Sequence, residues 1–195
     1  MAAPQTAFRP DYDDSVDEPP FSWRGILEIV QALALAVVIS VFLNLFVVQV
    51  TEVRQRSMEL TLLQNDRVLV SKLDYRFGTP QRGDIVVFNP PIDSTIPYVK
   101  RVVAVGGDTL DLRDGRVYVN GRLSDYPETR SQPTLPQAPR VAFPLTVPQG
   151  DVFVMGDNRQ FSSDSRTFGP VPDGNIIGKV VLRFWPFDRL VFFEW

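Results

Sequence analysis

The chain has 195 residues, no histidine, no cysteine and a formal net charge of −3. Those two absences exclude a Ser-His-Asp triad, a cysteine nucleophile, a disulfide framework and a zinc site built on His or Cys. The acidic balance argues against nucleic acid as a partner, and 17 prolines and 12 glycines favour short strands and turns over a helical bundle.

Residues 1–24 begin as a polar, acidic stretch with Asp11, Asp13, Asp14, Asp17 and Glu18, and they read as a disordered tail. An apolar run follows, and between 29 and 48 its only polar residues are Gln31, Ser40 and Asn44. About 20 helical residues at roughly 1.5 Å each cross a bilayer core of about 30 Å, so a transmembrane helix is expected over 25–50. A buried core helix and a cleaved signal peptide are the alternatives. A signal peptide has a shorter apolar region and a small-x-small site after it, which residues 47–53 (VVQVTEV) lack. Trp23 and Arg24 before the run, and Glu52 and Arg54 after it, suit two membrane interfaces. Arginines lie on both sides (Arg9 and Arg24; Arg54, Arg56 and Arg67), so charge alone does not orient the span.

Beyond the run, strand-like segments alternate with turn signals: 67–72 (RVLVSK), 84–89 (DIVVFN), 98–105 (YVKRVVAV), 116–120 (RVYVN), 151–155 (DVFVM) and 176–184 (IIGKVVLRF). Asp114-Gly115 between two of them is a strong hairpin signal. No helical period of comparable length follows residue 50. Residues 51–195 are therefore expected to form a mainly β domain of small packed sheets or a partly open barrel. A proline-rich surface excursion is expected at 124–140.

With histidine and cysteine absent, a serine paired with a lysine is the main route left to acyl transfer. Ser57 and Lys100 lie in the segments that look built for it. A lysine in water holds its proton to about pH 10.4. Burial disfavours the charged form, and a working value near 7–8 would take roughly 4 kcal/mol. Val99, Val102 and Val103 are the candidate packing around Lys100. On residue type alone, a solvated strand lysine is the ordinary alternative.

Four blocks in order behind the apolar run give the residues a recognisable pattern. They are Ser57-Met58 with Thr61-Leu62, Asn65-Asp66-Arg67, Val70 and Lys72; then 82–88 (RGDIVVF); then 98–103 (YVKRVV) with Gly107-Asp108; then 156–159 (GDNR) with Ser162, 164–166 (DSR) and Phe168-Gly169. Over about residues 26–186 the chain resembles type I signal peptidases, membrane-anchored Ser-Lys proteases that remove signal peptides from exported proteins. The resemblance implies that Ser57 attacks the scissile carbonyl and that Lys100 takes its proton and later activates the deacylating water. It implies that the Ser162 hydroxyl holds the lysine amine, and that Asp164, Arg166 and Arg101 form a structural charge cluster beside the site. Cleavage after small residues at −1 and −3 (the A-x-A pattern) is implied, with Val53, Leu62, Tyr98 and Val99 toward −1, Val68 and Val87 toward −3, and Met58 near the nucleophile. Each of these wall residues has plain core packing as its alternative. An extended substrate would add as a strand to an exposed edge.

The resemblance further implies no metal or organic cofactor, and signal-peptide-bearing preproteins and a lipid bilayer as partners. It implies a single-pass protein of a bacterial-type plasma membrane or a thylakoid membrane, with 1–24 cytoplasmic and the catalytic domain extracytoplasmic or lumenal. The oligomeric state is left open. The match departs from the family around Ser57. Leu60 and Arg54 stand in place of prolines, and Gln55 stands where a hydroxyl often joins the Ser57 backbone N–H in the oxyanion hole. Losing such a donor costs on the order of 10²–10³ in rate; the Gln55 amide is the candidate substitute. The positive charge of Arg54 and Arg56 would help keep Lys100 neutral, or would crowd the cleft. A weakened paralogue that binds preproteins or assists membrane-protein assembly is the alternative reading. A self-cleaving Ser-Lys repressor fits poorly, since an acidic tail and an apolar span occupy the place of a DNA-binding module. The aromatic end, 184–195, either completes the core or meets the lipid surface.

Overall fold

A computed structural model describes residues 23–92, 95–124, 126, 129, 132–137 and 141–193. All but the last two residues of the expected tail lie outside that range. The chain divides at Ser40/Val41 into two compact units. The helix α1, Trp23–Phe46, is apolar all round, and its segment Trp23–Asn44, with a mean hydropathy of 2.5, is long and apolar enough to cross a membrane. The helix stops four residues short of the expected end at Val50. The sequence VVQVTE is rich in β-branched residues, and it pairs as strand β1, Val48–Glu52, with β2, Arg67–Ser71, from Val48↔Ser71 to Glu52↔Arg67.

The remainder is mainly β, as expected. After a short helix α2 (Asp74–Phe77) come β3 (Ile85–Phe88), β4 (Tyr98–Val105), β5 (Thr109–Arg113), β6 (Arg116–Val119), β7 (Arg122–Leu123), β8 (Leu145–Thr146) and β9 (Asp151–Met155). Helix α3 (Ser165–Phe168) precedes β10 (Val171–Pro172), β11 (Ile176–Trp185) and β12 (Val191–Phe192). The larger sheet runs β1-β2-β11-β3-β4-β9-β10, with β12 also on β11, and curls into a half-barrel. The ten-residue β11 takes β3 along its first half and β12 further on, while β2 pairs along its second half. A smaller sheet runs β7-β6-β5-β8. Its β5–β6 hairpin turns on Asp114 (φ 50°) and Gly115 (φ 71°), the two positive-φ positions that a two-residue type I′ turn requires.

Strand β3 is buried on both faces and divides the core. Ile85 and Val87 join Val53, Met58, Leu62, Val68, Val70 and Val180 on one side. Val86 and Phe88 join Val102, Val152, Val154 and Val171 on the other. A third cluster, around Leu110, Val119, Phe153 and Met155, ties the smaller sheet to the end of β4. The described part of 124–140 is not a plain surface excursion. Thr129 and Thr134 are buried, the Thr134 N–H donates to Gly115 O at 2.7 Å, and Gln137 Nε2 donates to Ser162 O at 2.9 Å. These bonds tie the segment to the β5–β6 turn and to the loop after β9. At the aromatic end, Phe193 packs on the first core cluster while Phe187 and Phe192 stay exposed.

Candidate active site

Ser57 sits in the middle of a single 3-10 turn, Arg56–Met58, between β1 and β2. The turn is held from across the fold by the 156–158 segment. Asn158 N–H donates to Ser57 O at 2.9 Å, and Asn158 Nδ2 donates to Arg56 O at 3.1 Å. The Asp157 N–H points to the Met58 sulfur at 3.5 Å. Gly156 is needed where these segments touch, because a Cβ there would come within 3.0 Å of both the Ser57 carbonyl and Ser162.

Lys100 lies in β4 opposite Val86, fully buried, with its side chain over the Tyr98 ring at 4.9 Å from the centroid. Its Nζ lies 2.7 Å from Ser57 Oγ and donates to Val99 O at 3.1 Å. Burial pushes its pKa down to about 8, against the opposing pull of the Asp164 and Asp157 charges. A neutral amine beside a hydroxyl is therefore available near neutral pH. The same 2.7 Å contact then directs the Ser57 O–H at the nitrogen lone pair.

The Ser162 hydroxyl is buried but forms no hydrogen bond to Lys100 or to any other described residue. Asp164, Arg166 and Arg101 lie in a charged region that holds two buried ion pairs. Arg166 is clamped to Asp164 (Nε–Oδ1 and Nη2–Oδ2, both 2.8 Å), and that carboxylate also accepts from Gly156 N–H at 3.1 Å. Arg101 grips Asp157 through Nε (2.9 Å) and Nη2 (2.8 Å), with the Thr61 hydroxyl donating to the same carboxylate at 2.5 Å. Asp157 was missed as the partner of Arg101, since nothing local links residues 56 positions apart.

A cleft of about 450 Å³ opens beside Ser57, between the 49–58 segment and Ile96, Pro97 and Val99. Of the expected wall residues, Val53, Met58 and Val99 line it. Leu62, Val68 and Val87 are corrected to the core behind it, in the same cluster as Val53 and Met58. Tyr98 does not line this cleft: it points to the opposite face of β4 from Val99, edge-on to Phe88, and on that face its ring lies under the Lys100 amine. Ile96 and Pro97 were missed, as they precede the strand. Gln55 is exposed in extended conformation on the cleft rim, and its side chain caps no backbone group of the turn.

Residues 26–185 match the family described as signal peptidase, peptidase S26. A probable signal peptidase I-1 of Synechocystis sp. is 38% identical, covering 87% of this chain and 88% of that protein. A signal peptidase I of Leptolyngbya laminosa is 36% identical over 85% of this chain and 82% of its own. A crystal structure of a signal peptidase I from Enterococcus faecalis aligns with a TM-score of 0.47 at 31% identity, over 53% of this chain and 98% of that one.

Proposed function

The chain belongs to the signal peptidase family, peptidase S26, and from that premise we propose that it removes signal peptides from preproteins by a Ser57–Lys100 dyad. The observation that carries this reading is the 2.7 Å contact between the Ser57 hydroxyl and a buried amine whose pKa is lowered to about 8. Lys100 takes the hydroxyl proton as Ser57 Oγ bonds to the scissile carbonyl carbon, then returns it to the departing amine as the C–N bond breaks. With the amine neutral again, the same nitrogen accepts a proton from the water that hydrolyses the acyl-enzyme. The developing oxyanion falls to the Ser57 N–H and the Gln55 amide. The Asp157–Arg101 and Asp164–Arg166 pairs position the turn and the loop rather than react.

The shape of the cleft supports a preference for small residues. Val53, Met58 and Val99 give it an apolar floor beside Ser57, and β1 stands at one end of the larger sheet. An extended substrate adds to that edge with its −1 and −3 side chains turned to the floor. The helix α1 anchors the protein in a membrane, with the β domain on the extracytoplasmic or lumenal side, where signal peptides emerge.

The test is cleavage of a preprotein with an A-x-A site by the detergent-solubilised full chain beside Ser57→Ala. Cleavage after the second alanine is expected from the wild type and none from the variant. A folded wild type that binds the preprotein without cutting it would favour the weakened paralogue. A second expectation concerns the oxyanion. Gln55→Ala should lower kcat on the order of 10²-fold with KM little changed, and Gln55→Ser should stay within about tenfold of the parent. An unchanged kcat in Gln55→Ala removes the amide from the mechanism.

A further inference from the structure

Many charged side chains of the β domain are paired. Arg56 is held by Glu59 at 3.2 Å, Arg101 by Asp157, Arg166 by Asp164, and Arg189 by Asp66 at 2.9 Å. Glu52 and Arg54 are different: both line the cleft, both are exposed, and neither side chain has a hydrogen bond or ion pair among the described residues.

Their spacing follows the strand. Exposure alternates from Gln49 onward, with Gln49, Thr51 and Val53 turned inward and Val50, Glu52 and Arg54 outward. Thr51 lies opposite Val68 and Gln49 opposite Val70, both fully buried, which fixes the inward face as the floor side. A strand added to the free edge of β1 shares these two faces, so substrate side chains that miss the floor stand beside Val50, Glu52 and Arg54. Ser57 follows the C-terminal end of β1. A substrate whose residues before the scissile bond lie along β1 therefore runs parallel to it. Position −1 then meets the floor by Ser57, −2 stands outward beside Arg54, and −4 stands beside Glu52.

We propose that Arg54 and Glu52 read the charge of the substrate at −2 and −4, so that this enzyme prefers an acidic residue between the two small ones and a basic residue two positions earlier. The inference rests on the peptidase reading above and adds to it a selectivity set by two residues of this chain. Each contact is solvent-facing, so one matched charge is worth about fivefold in kcat/KM, and replacing attraction by repulsion at one position roughly tenfold.

The experiment measures kcat/KM for the detergent-solubilised full chain on preproteins with Ala-Glu-Ala, Ala-Gln-Ala and Ala-Lys-Ala before the cut. The expected order is Glu, Gln, Lys, with about tenfold between the ends. Arg54→Glu should reverse the order. Glu52→Arg should leave the −2 order in place and reverse a parallel series at −4. The −2 discrimination should collapse in about 1 M salt, where the screening length is about 3 Å, a response that a steric effect would not give. Equal values at −2, an order indifferent to Arg54→Glu, or a preference that survives high salt each overturns the proposal while leaving the peptidase intact. No cleavage of the Ala-Gln-Ala preprotein would instead remove the peptidase reading, and this selectivity with it.

Discussion

Lys100→Met is expected to abolish cleavage and, at pH 7, to make the protein more stable. The first effect follows from removing the only group within hydrogen-bonding distance of Ser57 Oγ among the described residues. The second follows from the sign of the lysine's shift. Its pKa of about 8 lies below the ordinary 10.5, and burial is the main cause. Between those values the unfolded chain holds a proton that the folded chain has released, so stability rises with pH across the window. Below about pH 8 both states are protonated and the folded state carries the whole penalty, about 3 kcal/mol. Methionine keeps most of the apolar volume but leaves Val99 O without its donor, which costs about 1 kcal/mol. The net gain of about 2 kcal/mol corresponds to roughly 4–8 °C in Tm for a protein of this size. Thermal unfolding of wild type and variant from pH 6 to 10 would show the gain shrinking as the lysine's proton leaves. Wild-type cleavage should rise with pH through about 8 over the same range. A variant that melts lower at pH 7 would mean that the amine is not held against desolvation, and the basis for a neutral Lys100 would go with it.

The parts of this protein that the sequence made legible are those carried by local pattern. The Asp114-Gly115 turn, the β-branched run of β4 and the apolar stretch of α1 each announce themselves within ten to twenty-five residues. The mainly β fold and the family likewise follow from residues near one another in the chain. What stayed hidden depends on partners far apart. β1 is five residues long and follows an apolar helix without a break in hydropathy, so only its pairing with β2 marks where the helix ends. Tyr98 and Val99 are neighbours in sequence but face different clusters, and no composition rule assigns which of them meets the cleft. The placement of Arg101 on Asp157 rather than Asp164 is a choice between two carboxylates seven positions apart, decided by the path of the loop after β9. That loop is also where the remaining large effect is expected.

Arg166→Leu should destabilise the protein by about 3–5 kcal/mol. Asp164 and Arg166 are both essentially fully buried, and removing the guanidinium leaves a carboxylate with no counter-charge in that place. The guanidinium does more than neutralise. Its Nη2 donates to Arg159 O at 2.7 Å and its Nη1 to Leu135 O at 3.1 Å, so one side chain joins the 132–137 segment to the loop that carries Ser162. Asp164→Asn tests the other half of the pair with a distinct signature. The Asp164 charge is the foremost influence raising the pKa of Lys100 against its burial. An asparagine keeps the acceptor for Gly156 N–H but removes that charge, so the rise of cleavage with pH should move to lower pH. A merely structural carboxylate would lower activity without moving the profile. In the double variant, Asp164→Asn with Arg166→Leu, no unpaired charge remains, and the loss should fall short of the sum of the single losses by about 0.5–3 kcal/mol. Strict additivity in unfolding free energy, together with an unmoved pH profile, would show that the pair neither shelters its own charges nor tunes the lysine.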